Sequence, residues 1–226
     1  GEPFLGDKAM SEATKQAMRV KYGLDQPVLT QYINYIGSVL HGDLGTSITS
    51  NRPVATIIME SFPISFDLGV RAIILAVVFG IGLGSLAAIK RGRKADTFAM
   101  LVAVVGVSVP SFIIAALLQF FIALKLGQSL GTYIFPVSGW TTFASKILPP
   151  IALSFGSMAT ISRLMRTSML DVLSSDYIKT AKAKGLSQKL IVWRHAIRNA
   201  VMPVITVLGP ITASVLTGAF VVEKVF

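Results

Sequence analysis

Four stretches of this chain are long apolar runs, covering about residues 64–89, 98–124, 147–165 and 200–222. A helix of roughly 20 apolar residues covers the hydrocarbon core of a bilayer, and backbone groups in that core must bond within their own segment. The chain is therefore expected to be all-α, a polytopic bundle of membrane helices with four spans. Composition agrees: 53% of the 226 residues are hydrophobic and 14% are charged, where soluble domains carry roughly 25% charge. There is no cysteine, which excludes disulfides and thiol chemistry. The chain opens Gly1-Glu2-Pro3 and stops just after an apolar run. It is expected to be an internal piece of a longer chain.

Residues 1–61 are polar enough to lie outside the membrane, and short helices are predicted there. One starts at Ser11 and runs to about Tyr22. Another runs from Pro27, which suits a first helical position, to about His41. Val28, Tyr32, Tyr35, Ile36 and Val39 give the second an apolar stripe at helical spacing. His41 has no His or Cys at ligand spacing and reads as a turn residue. Residues 62–226 are read as the transmembrane domain, with a basic loop at 167–199.

Within the spans, Gly80 and Gly84 form a G-x-x-x-G pair, which lets two helix backbones approach closely. The contact is either packing inside one subunit or a meeting with another. Asp67 and Arg71 stand at i and i+4, so they can neutralise one another, and a substrate contact is the sharper alternative. Ser108, Pro110 and Ser111 lie near the middle of the second span. Proline removes a backbone hydrogen bond, so a kink is predicted there. Such a kink serves as a hinge, as a wall of a path, or only as a packing feature. Tyr133, Phe135 and Trp140 in the following loop suit a membrane interface. Ser154, Ser157, Thr160 and Ser162 place hydroxyls on the third span, which ends in Arg163 and Arg166.

Charge fixes the expected orientation. Lys90, Arg91, Arg93 and Lys94 crowd one loop, and Arg163, Arg166, Lys179, Lys182, Lys184, Lys189, Arg194 and Arg198 crowd another, whereas the loop between them at 127–146 holds only Lys146. Basic loops stay in the cytoplasm. Four spans then leave both ends of the chain outside. The net charge of +10 thus reports orientation and contact with anionic lipid rather than nucleic-acid binding.

The second basic loop is the most informative stretch. Ser174, Ser175 and Asp176 are good helix caps, Ala181 and Ala183 favour helix, and Gly185 is a natural stop. Ile178, Ala181 and Gly185 fall on one small face, with Lys179 and Lys182 beside it. A short helix of this kind is either a peg for another protein's groove or a solvated loop.

The run Asp176-Tyr177-Ile178-Lys179-Thr180-Ala181-Lys182-Ala183-Lys184-Gly185-Leu186, followed by His195, Arg198, Asn199 and Pro203, resembles the EAA loop of bacterial ABC importer permeases. It is most similar to the version in oligopeptide, dipeptide and nickel permeases. Lys179 and Thr180 replace the Glu and first Ala of the general pattern, and Pro203 lies further from Gly185 than that pattern places its proline. Tyr22 to Pro27, Gly42 to Gly45 and Val221 to Phe226 also resemble that subfamily. The resemblance implies a type I importer fold with about six spans in the parent chain. It implies an inner-membrane permease that forms a path for peptides, nickel or another small solute. Asp176 to Leu186 would couple to cytoplasmic ATPases, with His195, Arg198, Asn199 and Pro203 joining that loop to the next span. The expected partners are a second permease subunit, ATP-binding subunits and an extracytoplasmic binding protein. ATP and Mg would be bound by those partners, since no G-x-x-x-x-G-K-[ST] loop occurs here.

Two other classes fit less well. An ion-driven transporter usually places acids or broken helices near the midplane, and only Asp67 and Arg71 approach the membrane interior. An enzyme needs a nucleophile with a base, or a set of metal ligands, on one face. The two histidines, His41 and His195, are predicted on opposite sides, and no H-E-x-x-H occurs.

Overall fold

The computed structural model describes residues 16–226 apart from 18, 21, 22, 48 and 49. Among these the only strand-like pairing is an isolated bridge between Thr46 and Pro53. The rest of the regular structure is helical, and four helices are long and apolar enough to cross a membrane. The chain divides into two units at Pro63/Ile64.

In the first unit, α1 spans Val28–Leu40 and buries none of its residues. Pro27 sits at its N-cap rather than inside it, and the His41 backbone closes it by donating to the Gly37 and Ser38 carbonyls. The His41 ring Nδ1 also lies 2.8 Å from the Gly37 carbonyl. Arg52 grips both carboxylate oxygens of Glu60 at 2.7 Å. The helix expected from Ser11 falls largely outside the described residues.

Helix α2 runs Val54–Ile89, so it begins well before the expected start near residue 64. In the second unit, α3 is Lys94–Ser108. Val109 is extended, at φ −95° and ψ 123°, and Pro110 caps the helix that follows. The kink expected at Pro110 is therefore a full break. The next helix, α4, spans Ser111–Leu130, longer than the predicted end near residue 124, with a π-helical turn at Gln119–Lys125. Helix α5 is Leu148–Ser174. Arg163 and Arg166 thus lie within it, and its last turns occupy what the sequence suggested was loop. Then come α6, Asp176–Ala183, and a helical run at 188–200, α7, whose middle, Ile191–Ala196, is π-helical. The last span is α8, Met202–Gly218, with Pro210 inside it, followed by α9, Phe220–Val225.

Helix α5 is the axis of the second unit. Its neighbours place glycine or alanine against it, so the backbones come close. A Cβ on Gly80 would stand 2.8 Å from Ile161 Cβ, and one on Gly84 would press into the Ser162 carbonyl. A Cβ on Gly106 would stand 2.8 Å from that of Ala159. The glycine pair of α2 therefore packs inside this chain. The contacts also give direction. Gly80 and Gly84 meet α5 in ascending order, so α2 and α5 run parallel. Asp96 meets Arg166, Gly106 meets Ala159, and Ile114 and Ala115 share a cluster with Ala152 and Leu153. So α3 and α4 run antiparallel to α5, and remain alongside it across the break. Val204 shares a cluster with Ala88, and Val215 shares one with Leu68 and Ala72, which sets α8 antiparallel to α2. Both basic loops thereby lie at one end of the bundle, and the loop at 131–147 lies at the other.

Candidate coupling site

At the basic end, α5 stops at Ser174 and the chain turns into α6. The expected side-chain caps are not made. Ser174 Oγ and Ser175 Oγ instead donate backward to the Asp171 and Val172 carbonyls, at 2.7 and 2.6 Å. They satisfy the open carbonyls of α5 rather than the open N–H groups of α6. Asp176 pairs with Lys179 at 2.8 Å, both in solvent. At the far end Gly185 adopts φ +78°, and the Leu186 N–H returns to the Ala181 carbonyl at 3.2 Å. This is a left-handed C-terminal stop, a conformation that glycine adopts without penalty.

The small face of α6 is occupied within this chain. Ile178 is fully buried and Ala181 nearly so, in one cluster with Met165, Met169, Ile191, Val192 and Ala196. This face is turned into the chain's own core. No Cβ clash awaits Gly185 either, since nothing lies within 4 Å of it. Its role is its backbone angle, not close approach. What α6 offers outward is Tyr177, Lys179, Thr180, Lys182, Ala183 and Lys184, all exposed.

Side chains fasten α6 to α7. Asn199 Nδ2 donates to Tyr177 Oη at 3.1 Å and to the His195 carbonyl at 2.9 Å. One of the junction residues, Asn199, is thus brought to the coupling loop, whereas His195 takes part only through its backbone carbonyl within α7. Arg198 is exposed beside them, and Pro203 opens α8 in its first turn. Ile191 and Ala196 lie buried on the inner side of α7. The helices α5, α6 and α7 therefore share one apolar core beneath the spans.

A buried ion pair, not anticipated from sequence, locks the same end. Arg166 Nε and Nη2 donate to the two Asp96 carboxylate oxygens at 2.7 and 2.8 Å, and the Gly92 N–H adds a third bond at 3.0 Å. Asp96 lies in the first turn of α3, outside the apolar span. The Arg166 hydrogen bonds, helped by that of Gly92, hold its carboxyl down to about 2. An acid inside an otherwise basic loop was the signal available in the sequence.

At the opposite end Asp67 meets Arg71 at 2.7 Å, as the spacing predicted, and Lys146 joins at 3.5 Å. Lys146 Nζ also stands 5.4 Å from the centre of the Trp140 ring. Gln119 is a further tie that sequence reasoning missed. Its amide donates to the Val137 and Val225 carbonyls at 2.8 and 2.6 Å, joining α4, the 131–147 loop and the end of α9. Ser108 and Pro110 are exposed and Ser111 half-buried at the break between α3 and α4, away from the coupling loop. Among the described residues, no cluster of three or more His, Cys, Asp or Glu stands ready to hold a metal ion.

Comparison with known proteins gives the family. Residues 80–226 match the model of a family described as the inner membrane component of binding-protein-dependent transport systems. The dipeptide transport system permease protein DppB of Bacillus subtilis is 47% identical over all of this chain and 72% of its own length. The DppB of Lactococcus lactis is 43% identical over all of this chain and 73% of its own. The oligopeptide transport system permease protein OppB of Salmonella typhimurium is 39% identical, again over all of this chain and 73% of its own. The chain is a multi-pass inner-membrane protein and belongs to the permeases of binding-protein-dependent ABC transport systems.

Proposed function

We propose that this chain forms part of the import path for short peptides and is driven through α6 by an ATPase on the cytoplasmic side. The peptide substrate is supported by relatives whose names specify dipeptide and oligopeptide transport. The side of the membrane is supported by the gathering of both basic loops at one end, which the positive-inside rule assigns to the cytoplasm. On this reading both ends of the chain lie outside, and residues 1–61 face the binding protein. Asp67 with Arg71, and the break at Ser108, Pro110 and Ser111, are the candidates for contact with substrate and for a hinge.

The observation that carries the coupling role is the shared core of α5, α6 and α7. A helix that buries its apolar face in the bundle and shows lysines outward passes a push on those lysines straight into the spans. Lys179, Lys182 and Lys184 meet acidic groups on the ATPase, and the spans rock between inward-open and outward-open states. The chain itself binds no cofactor and performs no hydrolysis; ATP and Mg belong to the partner subunits. A second permease subunit completes the path.

The test is transport of labelled dipeptide by the reconstituted transporter with Lys179, Lys182 and Lys184 all changed to Glu. The expected result is an intact assembly of permeases whose ATPase subunits dissociate and whose uptake is abolished. Wild-type uptake in that variant contradicts the reading.

A further inference from the structure

Helix α2 has two faces. Gly80 and Gly84 face α5, whereas a Cβ on Gly82 would meet nothing within 4 Å. On that second side a groove of about 380 Å³ runs between α2 and α7. Val78, Gly82, Leu86 and Ile89 form one wall, and Val192 and Trp193 the other. The wall is almost wholly apolar, and Trp193 is 68% exposed at its edge. One polar atom belongs to it. Ser85 lines the groove and is 94% buried by its 6% exposure, yet its Oγ has no hydrogen-bond partner. A buried hydroxyl without a partner is costly, so a missing acceptor or donor is called for.

The residues that flank the groove in sequence are basic. Lys90 and Arg91 follow Ile89 directly, and Lys189 and Arg194 lie within four residues of Trp193 on α7. All four are exposed, and none has an ion-pair partner among the described residues. We propose that this groove is a binding site for one anionic phospholipid. Its acyl chain lies along Val78, Leu86 and Val192, and its phosphate meets the cations at the mouth. Ser85 sits four residues before the end of α2, about 6 Å down at the helical rise. That is the depth of the ester carbonyls beneath a headgroup, and an ester oxygen completes the Ser85 hydroxyl. Basic pockets between membrane helices on the cytoplasmic side are suited to such headgroups. The lipid would wedge between α2 and the helix that carries the coupling loop.

The experiment uses the assembled transporter in detergent, exposed to equal amounts of phosphatidylglycerol and phosphatidylcholine, with retained lipid counted by native mass spectrometry. Phosphatidylglycerol is expected to be retained about tenfold over phosphatidylcholine. Gly82→Phe fills the groove from an open position and should abolish retention of that lipid. The combined change Lys90→Gln, Arg91→Gln, Lys189→Gln and Arg194→Gln leaves the groove intact and should erase the preference. These 226 residues hold no cysteine, which allows a further check: Gly82→Cys should be shielded by added phosphatidylglycerol from a maleimide reagent. Equal retention of the two lipids, unchanged retention in Gly82→Phe, or a cross-link from Gly82→Cys to a partner subunit overturns the proposal. None of these readouts depends on which side of the membrane the basic end faces.

Discussion

The two ends of the bundle carry the same ingredients, a carboxylate and an arginine, and use them differently. At the basic end the Asp96 side chain is 8% exposed and accepts hydrogen bonds from two nitrogens of a guanidinium reaching across from another helix. At the opposite end Asp67 is 34% exposed and Arg71 38% exposed, on one helix, with Lys146 only at the margin of contact. A buried pair ties two spans together, because removing one partner strands the other charge away from water. A half-exposed pair on one helix adds little to stability. The contrast teaches that the end carrying α6 is built to stay rigid, while the other end is held by contacts that are cheap to exchange.

Four changes break or sharpen this contrast. The largest effect is expected for Arg166→Met, which strands Asp96 and should lower stability by about 3–5 kcal/mol. Thermal unfolding of the detergent-solubilised protein reads it, and the double change with Asp96→Asn should recover a large part of the loss. Acid should act at the same end. The Asp96 carboxyl is lowered from 3.8 to about 2, so its contribution is complete above the unfolded value and disappears as pH falls through about 2. Wild type should therefore lose about 2 kcal/mol more than Asp96→Asn between pH 5 and pH 2. Gly185→Ala forces a side chain into the left-handed region and should cost about 1 kcal/mol, seen as faster amide exchange in α6 and weaker coupling of ATP turnover to uptake. Smallest of all, Arg71→Met should change stability by less than about 1 kcal/mol. A loss there as large as that of Arg166→Met would erase the difference between the ends.

Much of this was legible from residue order. Apolar run length gives the number of spans, although the run at 98–124 takes in most of α3 as well as most of α4; Pro110 marks the discontinuity, and the Asp67–Arg71 spacing anticipates their bond. What escaped is what periodicity does not encode. Helix α5 continues to Ser174 because Met169, Leu170, Val172 and Leu173 of its last turns pack in one core with Ile178 and Ile191, a tertiary gain that the polar residues between them hid. The small face of α6 was readable as a face, but its direction depends on what α7 presents to it. The Asp96–Arg166 pair joins residues 70 apart, which only the antiparallel run of α3 along α5 brings together. Gly80 and Gly84 left two partners open, and the contacts with Ile161 and the Ser162 carbonyl decide for α5.

The central claim is that α6 and α7 move as one body with the spans. The most direct measurement is the distance between spin labels at Lys182→Cys on α6 and Thr97→Cys on α3, both exposed, in the assembled transporter. Pulsed electron resonance should give one narrow distribution, the same with and without ATP. A distribution that shifts by several ångströms or broadens when ATP is added would mean that α6 swings free of the bundle, and would contradict the account.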